Sequence, residues 1–331
     1  MTLLQLPISR FNKFRKGKFS MGVLETIKSQ SLTYEQKVNL LAAAGENTVQ
    51  VLNVSDKTKY YFEKKAIDDL AEGSAPYRPR YILPDYERFL KNGSEFLQLD
   101  PPQDLDEALN ALMILYRHVP SITTFPVYLG NLDELIEPYT EGVSDEDLKK
   151  KLRLFLIYLD RTVTDSFCHA NLGPRDTRTG RIILELEREL QQAVPNLTLK
   201  YDPDLTPDSF AEEALYTSLF CANPAICNHP LNGEVFSVDY GIASCYNILP
   251  IGGGGYTLSR VILPRVAKLA KDADDFFDNV LPDCLTAMGD YMNERIRFIA
   301  EESGFFASSF LVKEGLIDKD RFLGMFGVTG L

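Results

Sequence analysis

An α/β fold is what the middle of this chain predicts, and three observations predict it. Apolar residues recur at helical spacing through 148–163 and again through 182–194. PNLTLKY then alternates apolar and polar residues with period two, the pattern of a strand. A further helical pattern opens just after it, at Pro207. Helix, strand and helix in turn is how β–α–β units are written.

The elements follow in order. YRPRYILPDY (Tyr77 to Tyr86) places Pro79 and Pro84 among aromatics, so it reads as extended backbone. Asp104 with Glu107 forms a capping box, and Leu105, Leu109, Leu112 and Tyr116 share one helical face. Leu148, Leu152, Phe155, Leu159 and Val163 mark the next helix. Ile182, Leu186, Leu190 and Val194 mark another, which Pro195 should stop. Leu197, Leu199 and Tyr201 line one face of the strand. Thr206 is the expected cap of the following helix, with Pro207 in its first turn and Phe210, Ala214 and Thr217 on its apolar face.

Composition narrows the function classes. The 331 residues are 45% apolar and 25% charged, enough for a large core. A net charge of −12 argues against general binding to nucleic acid or anionic membranes. One stretch breaks that trend: SRFNKFRKGK, Ser9 to Lys18, holds five basic residues and no acid, and reads as a solvated tail. No apolar run reaches the roughly 20 residues of a membrane span and no signal-peptide core is present, so a cytoplasmic protein is expected. Five cysteines, an odd number in a chain of this size, are expected to be reduced thiols.

Chemistry concentrates in Asp239 to Leu258, DYGIASCYNILPIGGGGYTL. Cys168, Cys221, Cys227, Cys245 and Cys284 are each core fillers by default. Cys221, Cys227 and His229 lack the paired short spacings of a zinc site. The four glycines fit a loop feeding a helix or a phosphate cradle, without the Lys-Ser/Thr of a P-loop. A thiol–histidine pair would have to draw on His118, His169 or His229, and no nucleophile signature surrounds any cysteine. Local chemistry leaves these alternatives open.

Residues 165 to 265 resemble the glycyl radical enzymes through four pieces in the right order: PNLTLKY followed by TPDSFAEEAL; ANPAICNH; DYGIASC; and GGGYTLSRVILPRVAKLA. DSFCHANLGPRDTRTGR, NILPIGGGGYTL, YRPRYILPDY and TTFPVYLGNLD are similar to the YjjI-type branch of that family. The resemblance implies an incomplete α/β barrel: the first five-stranded half-barrel with surrounding helices and a cysteine finger loop. It implies a mostly helical and extended segment over 1–100 and the half-barrel over 101–331, with the cysteine loop around 239–258. Cys245 would then be the catalytic residue, a thiyl radical abstracting hydrogen from a small organic substrate under anaerobic conditions.

The same resemblance implies a glycyl radical installed by a radical S-adenosylmethionine activase. Two positions depart from characterised branches. Asn247 stands where the diol- and choline-processing eliminases carry a glutamate base, and Ser244 where pyruvate formate-lyase carries a second cysteine. No Arg-x-x-Gly-Tyr motif occurs in the 331 residues, so the C-terminal glycyl radical region is expected to be absent and the chain truncated. A second chain or a homo-oligomer is the expected complement. Ser244, Tyr246, Asn247, Asn228, His229 and His169 are the candidate substrate-binding residues, and Arg175, Asp176 and Arg178 form a charged loop. The alternative is an inactive half-barrel relic that binds a small molecule or a subunit.

Overall fold

Ten strands occur among the described residues of the computed structural model, which are 22–46, 51–69, 77–120, 126–163, 168–236, 239–244 and 247–330. They are β1 Ile67–Asp69, β2 Tyr81–Leu83, β3 Tyr128–Asn131, β4 His169–Leu172, β5 Asn196–Tyr201, β6 Ala225–Asn228, β7 Tyr240–Ala243, β8 Asn247–Pro250, β9 Gly253–Ile262 and β10 Phe322–Thr329. The basic stretch 9–18 lies outside the described residues. Two compact units divide the chain: one drawn from Met1–Tyr77, Thr257–Ser303 and Met325–Leu331, the other from Arg78–Tyr256 and Gly304–Gly324. No helix among the described residues is long and apolar enough to cross a membrane.

The second unit is built on a parallel sheet of order β3-β4-β5-β6. Parallel neighbours need long crossovers, and the helices Asp145–Thr162, Arg178–Leu190 and Asp208–Cys221 lie in those connections. Register puts His169 beside Asn196, Asn171 beside Thr198, and Lys200 beside Cys227. Strand alternation therefore sorts the sheet into two faces. Ala170, Leu172, Leu197 and Leu199 make one apolar and buried face. His169, Asn171, Thr198 and Lys200 make the other, which is polar and buried as well. Tyr86 and Tyr116 reach β3 from neighbouring helices and donate to the carbonyls of Tyr128 (2.6 Å) and Leu129 (2.8 Å).

The α/β expectation and most of its elements hold. Asp104 accepts from the amide of Glu107, and Glu107 from that of Gln103, at the start of helix Leu105–Tyr116. Two boundaries differ. Helix Arg178–Leu190 ends short of Val194, because Gln191 turns left-handed (φ 47°) and Asp160 takes the amides of Ala193 and Val194. Thr206 does not cap helix Asp208–Cys221. Its hydroxyl donates to the Pro174 carbonyl (2.7 Å) and accepts from the Asp202 amide (3.1 Å), tying together the loops after β4 and β5. Four parallel strands are described rather than five. β2 packs beside β3 but hydrogen-bonds to β9 instead.

That pairing explains the glycine run. Gly252 makes a turn at φ 73°, and Gly253, Gly254 and Gly255 pair with Leu83, Ile82 and Tyr81. A Cβ on Gly253 would collide with the Arg321 carbonyl, and one on Gly254 with the Tyr81 carbonyl. The glycines are squeezed strand backbone, with amides engaged in a sheet and no helix opening directly after them, so neither a loop feeding a helix nor a phosphate cradle forms here.

In the first unit, β1 pairs antiparallel with the later residues of β9. Tyr61, Ile67, Val261, Val266, Cys284 and Met288 form its core. Buried Asp69 accepts from Tyr291 (2.6 Å) and pairs with buried Arg295.

One border of the second unit is unfinished among the described residues. β6 has β5 as its only paired neighbour, and Ile226 is exposed. On the preceding helix Leu215, Tyr216, Leu219 and Phe220 are exposed too, Leu219 at 81%. Such an edge recruits other chains. Light scattering of the purified 331-residue chain should show concentration-dependent association, weakened by Leu219→Glu. Independently, Gly254→Ala should cost about 3 kcal/mol in chemical denaturation, because φ 156° and the Tyr81 carbonyl both oppose a side chain.

Candidate functional site

The segment that carries Cys245 is a hairpin. β7 and β8 pair antiparallel, with Tyr240 opposite Pro250, Ile242 opposite Ile248 and Ala243 opposite Asn247. Three residues, Ser244 to Tyr246, connect the last pair in sequence. Cys245 and Tyr246 lie outside the described residues. Ser244 is buried at φ 40°, and its hydroxyl donates to the Tyr81 hydroxyl at 3.2 Å. Asn247 donates from Nδ2 to the Ser244 carbonyl at 2.5 Å. Its amide closes the turn, and it carries no group able to take a proton.

The polar face of the parallel sheet receives this hairpin. Asn171 on β4 donates from Nδ2 to the Ile242 carbonyl (3.1 Å) and accepts from the Ile242 amide at Oδ1 (2.9 Å). Lys200 on β5 donates to the Tyr240 carbonyl (2.6 Å), with Nζ 4.5 Å from the centre of the Tyr240 ring. Register puts Lys200 two residues further towards the carboxyl ends of the strands than Thr198, the neighbour of Asn171. Running from Tyr240 to Ile242, β7 therefore comes in at the carboxyl ends of the parallel strands and descends along the polar face. Gly241 makes this possible: a Cβ there would stand 2.6 Å from Cζ of Tyr128. The carboxyl ends of parallel strands are where α/β folds hold their ligands.

Charge gathers at those ends. Burial pulls the Lys200 amine down to about 8, although Cys227, Glu134, Asp239 and Asp133 oppose the shift. Burial likewise pushes the Asp133 carboxyl up to about 7, against hydrogen bonds from the Gly173 amide and the Thr177 hydroxyl. Glu134 is raised by burial too, with Arg175 at 3.6 Å and Lys200 pulling it back. His229, at the start of helix His229–Phe236, meets the Tyr240 hydroxyl through Nδ1 at 2.8 Å, and burial lowers its basicity.

Of the residues singled out from sequence, Ser244, Asn247 and His229 gather on the hairpin or its base, and His169 lies on the polar face two residues before Asn171. Asn228 is exposed and accepts from the Leu231 amide (3.0 Å), so it starts a helix. The charged loop is mostly committed to structure. Asp176 pairs with Arg181 through both oxygens, and Arg178 donates to the Val143 carbonyl. Cys221 donates to the Thr217 carbonyl within its own helix, and no group of three metal-binding side chains converges among the described residues.

Asn171, Lys200, Tyr240 and Tyr81 escaped the sequence reading. For Asn171 and Lys200 the signal was present in the alternation of HANL and NLTLKY, whose polar positions would ordinarily be read as a solvent face.

Comparison with known proteins gives three findings. The model of the YjjI-like glycyl radical enzymes matches residues 32–331. An uncharacterized protein of Haemophilus influenzae is 45% identical over 313 residues, and the YjjI protein of Escherichia coli 44% over 308. Each match covers 93% of this chain but 60% of the relative, so the chain spans about three-fifths of their length. Among solved structures, the anaerobic ribonucleotide reductase of Thermotoga maritima with citrate in its active site superposes with a TM-score of 0.65 at 14% identity, over 82% of this chain and 57% of that one. Hydroxyproline dehydratase from Clostridioides difficile, with trans-4-hydroxy-L-proline bound, gives 0.54 at 13% identity, over 89% of this chain and 55% of that one. At such identities the two share the fold.

The site makes a prediction about pH. Asp133 binds its proton more tightly folded than unfolded, since its ordinary value is 3.8 and its folded one about 7. The folded state then holds more protons between these values, and stability falls as pH rises from about 4 to 7. Urea denaturation across that range should show this fall in the wild type and a flatter profile in Asp133→Asn.

Proposed function

Since the chain belongs to the YjjI-like glycyl radical enzymes, we propose that it supplies the cysteine half of a radical active site, with Cys245 as the hydrogen-abstracting thiol. The observation that carries the reading is the hairpin: the connection holding Cys245 joins β8 to β7, which is laid along a buried polar sheet face. A glycyl radical, when present, serves to take the hydrogen atom from a cysteine thiol. The residues here suit that use. Ser244, buried against Tyr81, and Asn247, bonded to the Ser244 carbonyl, brace the turn from both sides. Asn171 and Lys200 hold the strand leading to the turn through hydrogen bonds to its main chain, and a reactive sulfur requires a closed, dry site.

The sulfur of Cys245 would give up its hydrogen, take another from a substrate C–H bond, and return it at the end of turnover. Ser244, Tyr246, Asn247, His169 and His229 are the proposed substrate-facing residues, with Asn228 at the rim. Asp133, whose carboxyl burial pushes up to about 7, is the group near the hairpin base suited to proton exchange at neutral pH, whereas burial lowers the basicity of His229. A radical S-adenosylmethionine activase is the proposed partner, and an anaerobic cytoplasm the proposed setting. The glycyl residue is proposed to lie in the further length that the relatives possess, on the same polypeptide or a companion chain.

The test needs no substrate. A protein joining these residues to that further length, treated with activase, should give a glycyl doublet in electron paramagnetic resonance. In D2O the Cys245 thiol carries deuterium, and reversible transfer should collapse the doublet. Cys245→Ala should keep the doublet uncollapsed. Collapse in Cys245→Ala would remove this residue from the mechanism, and failure of the wild type to form any doublet would favour the inactive relic. The 331 residues treated alone should show no doublet.

A further inference from the structure

β7 and β8 form a two-stranded sheet, so among the described residues one edge of β7 has no strand beside it. Alternate residues of an antiparallel strand turn their main chain to opposite sides. On the free edge of β7 these are Tyr240 and Ile242, both buried. The Tyr240 carbonyl is taken by Lys200, and the Ile242 amide and carbonyl are both taken by Asn171. We propose that Asn171 and Lys200 are positioning residues that stand in for a third strand, and so set where the hairpin sits against the parallel sheet.

The chemistry fits the role. A carboxamide offers one donor and one acceptor at the spacing of a peptide group, so Asn171 replaces a strand residue; Asp would keep only the acceptor and Leu neither. A hairpin of two strands is marginal by itself, and a buried main-chain group left without a partner costs about 1–3 kcal/mol. The place of the hairpin thus depends on two side chains rather than on a ladder.

Lys200 adds a pH dependence. The titratable groups around it are Asp133 and Glu134 after β3, Cys227 on β6, His229 after β6, and Asp239 and Tyr240 on the hairpin's own strand. Burial outweighs the acids and holds the amine near 8. Opening the hairpin would return it to water and to its ordinary 10.5. The open state then binds more protons between those values, so opening becomes rarer as pH rises from 8 towards 10.5.

The proposal rests on the functional reading only for its consequence at Cys245; the latch itself is read without any radical. Hydrogen exchange with mass spectrometry on the 331-residue chain should show peptides from 239–250 exchanging at least tenfold faster in Asn171→Leu, and several-fold faster in Lys200→Met. Helix Asp145–Thr162 should be unchanged in both. Iodoacetamide labelling of Cys245, quantified by peptide, should rise in step. Unchanged hairpin exchange in folded Asn171→Leu would overturn the proposal. Should that variant not fold, the wild type decides: between pH 8 and 9.5, hairpin opening corrected for intrinsic exchange should fall several-fold relative to the same helix, and a flat profile would overturn it. Failure of Cys245→Ala to alter the radical signal would sink the functional reading and leave the latch standing.

Discussion

A strand edge buried without a neighbouring strand must find its hydrogen bonds in side chains, and the second unit is organised around that obligation. β7 lies on a sheet face that would otherwise expose His169, Asn171, Thr198 and Lys200 to an apolar interior. Asn171 and Lys200 on the polar face and the unpaired edge satisfy one another. Neither makes sense alone: the face would carry uncompensated polar groups, and the edge uncompensated main chain.

Close approach is the companion requirement. For side-chain bonds to span sheet and hairpin, the backbones must come near, and small residues stand where they do. Gly241 admits the Tyr128 ring, while Gly253 and Gly254 let β9 pass between the carbonyls of Arg321 and Tyr81. Tyr81 joins the two devices. Its main chain pairs with the glycine strand, and its hydroxyl receives Ser244 at the end of β7. The hairpin thus rests on glycine at one flank and on an amide and an amine at the other.

Much of this was legible beforehand. The helices Leu105–Tyr116 and Asp145–Thr162 declare themselves because each buries one stripe and caps its own start, with Asp104 and Ser144 accepting the third amide inward. The strand Asn196–Tyr201 was legible from Leu197 and Leu199. Its other face was misleading, since Thr198 and Lys200 look like solvent positions until a second layer covers them. Thr206 deceived in a similar way: a threonine before Pro-Asp-Ser reads as a cap, yet its hydroxyl donates to the Pro174 carbonyl in a distant loop.

The family of this chain and its α/β class were determined by the sequence, because periodicity, caps and an ordered run of short motifs are local properties. Tertiary structure alone decided that the glycines are strand rather than cradle, that Asn247 closes a turn, and that Asn171 and Lys200 face inward. Each of those roles depends on which backbone group, far away in the chain, comes within hydrogen-bonding distance, and no local pattern records that.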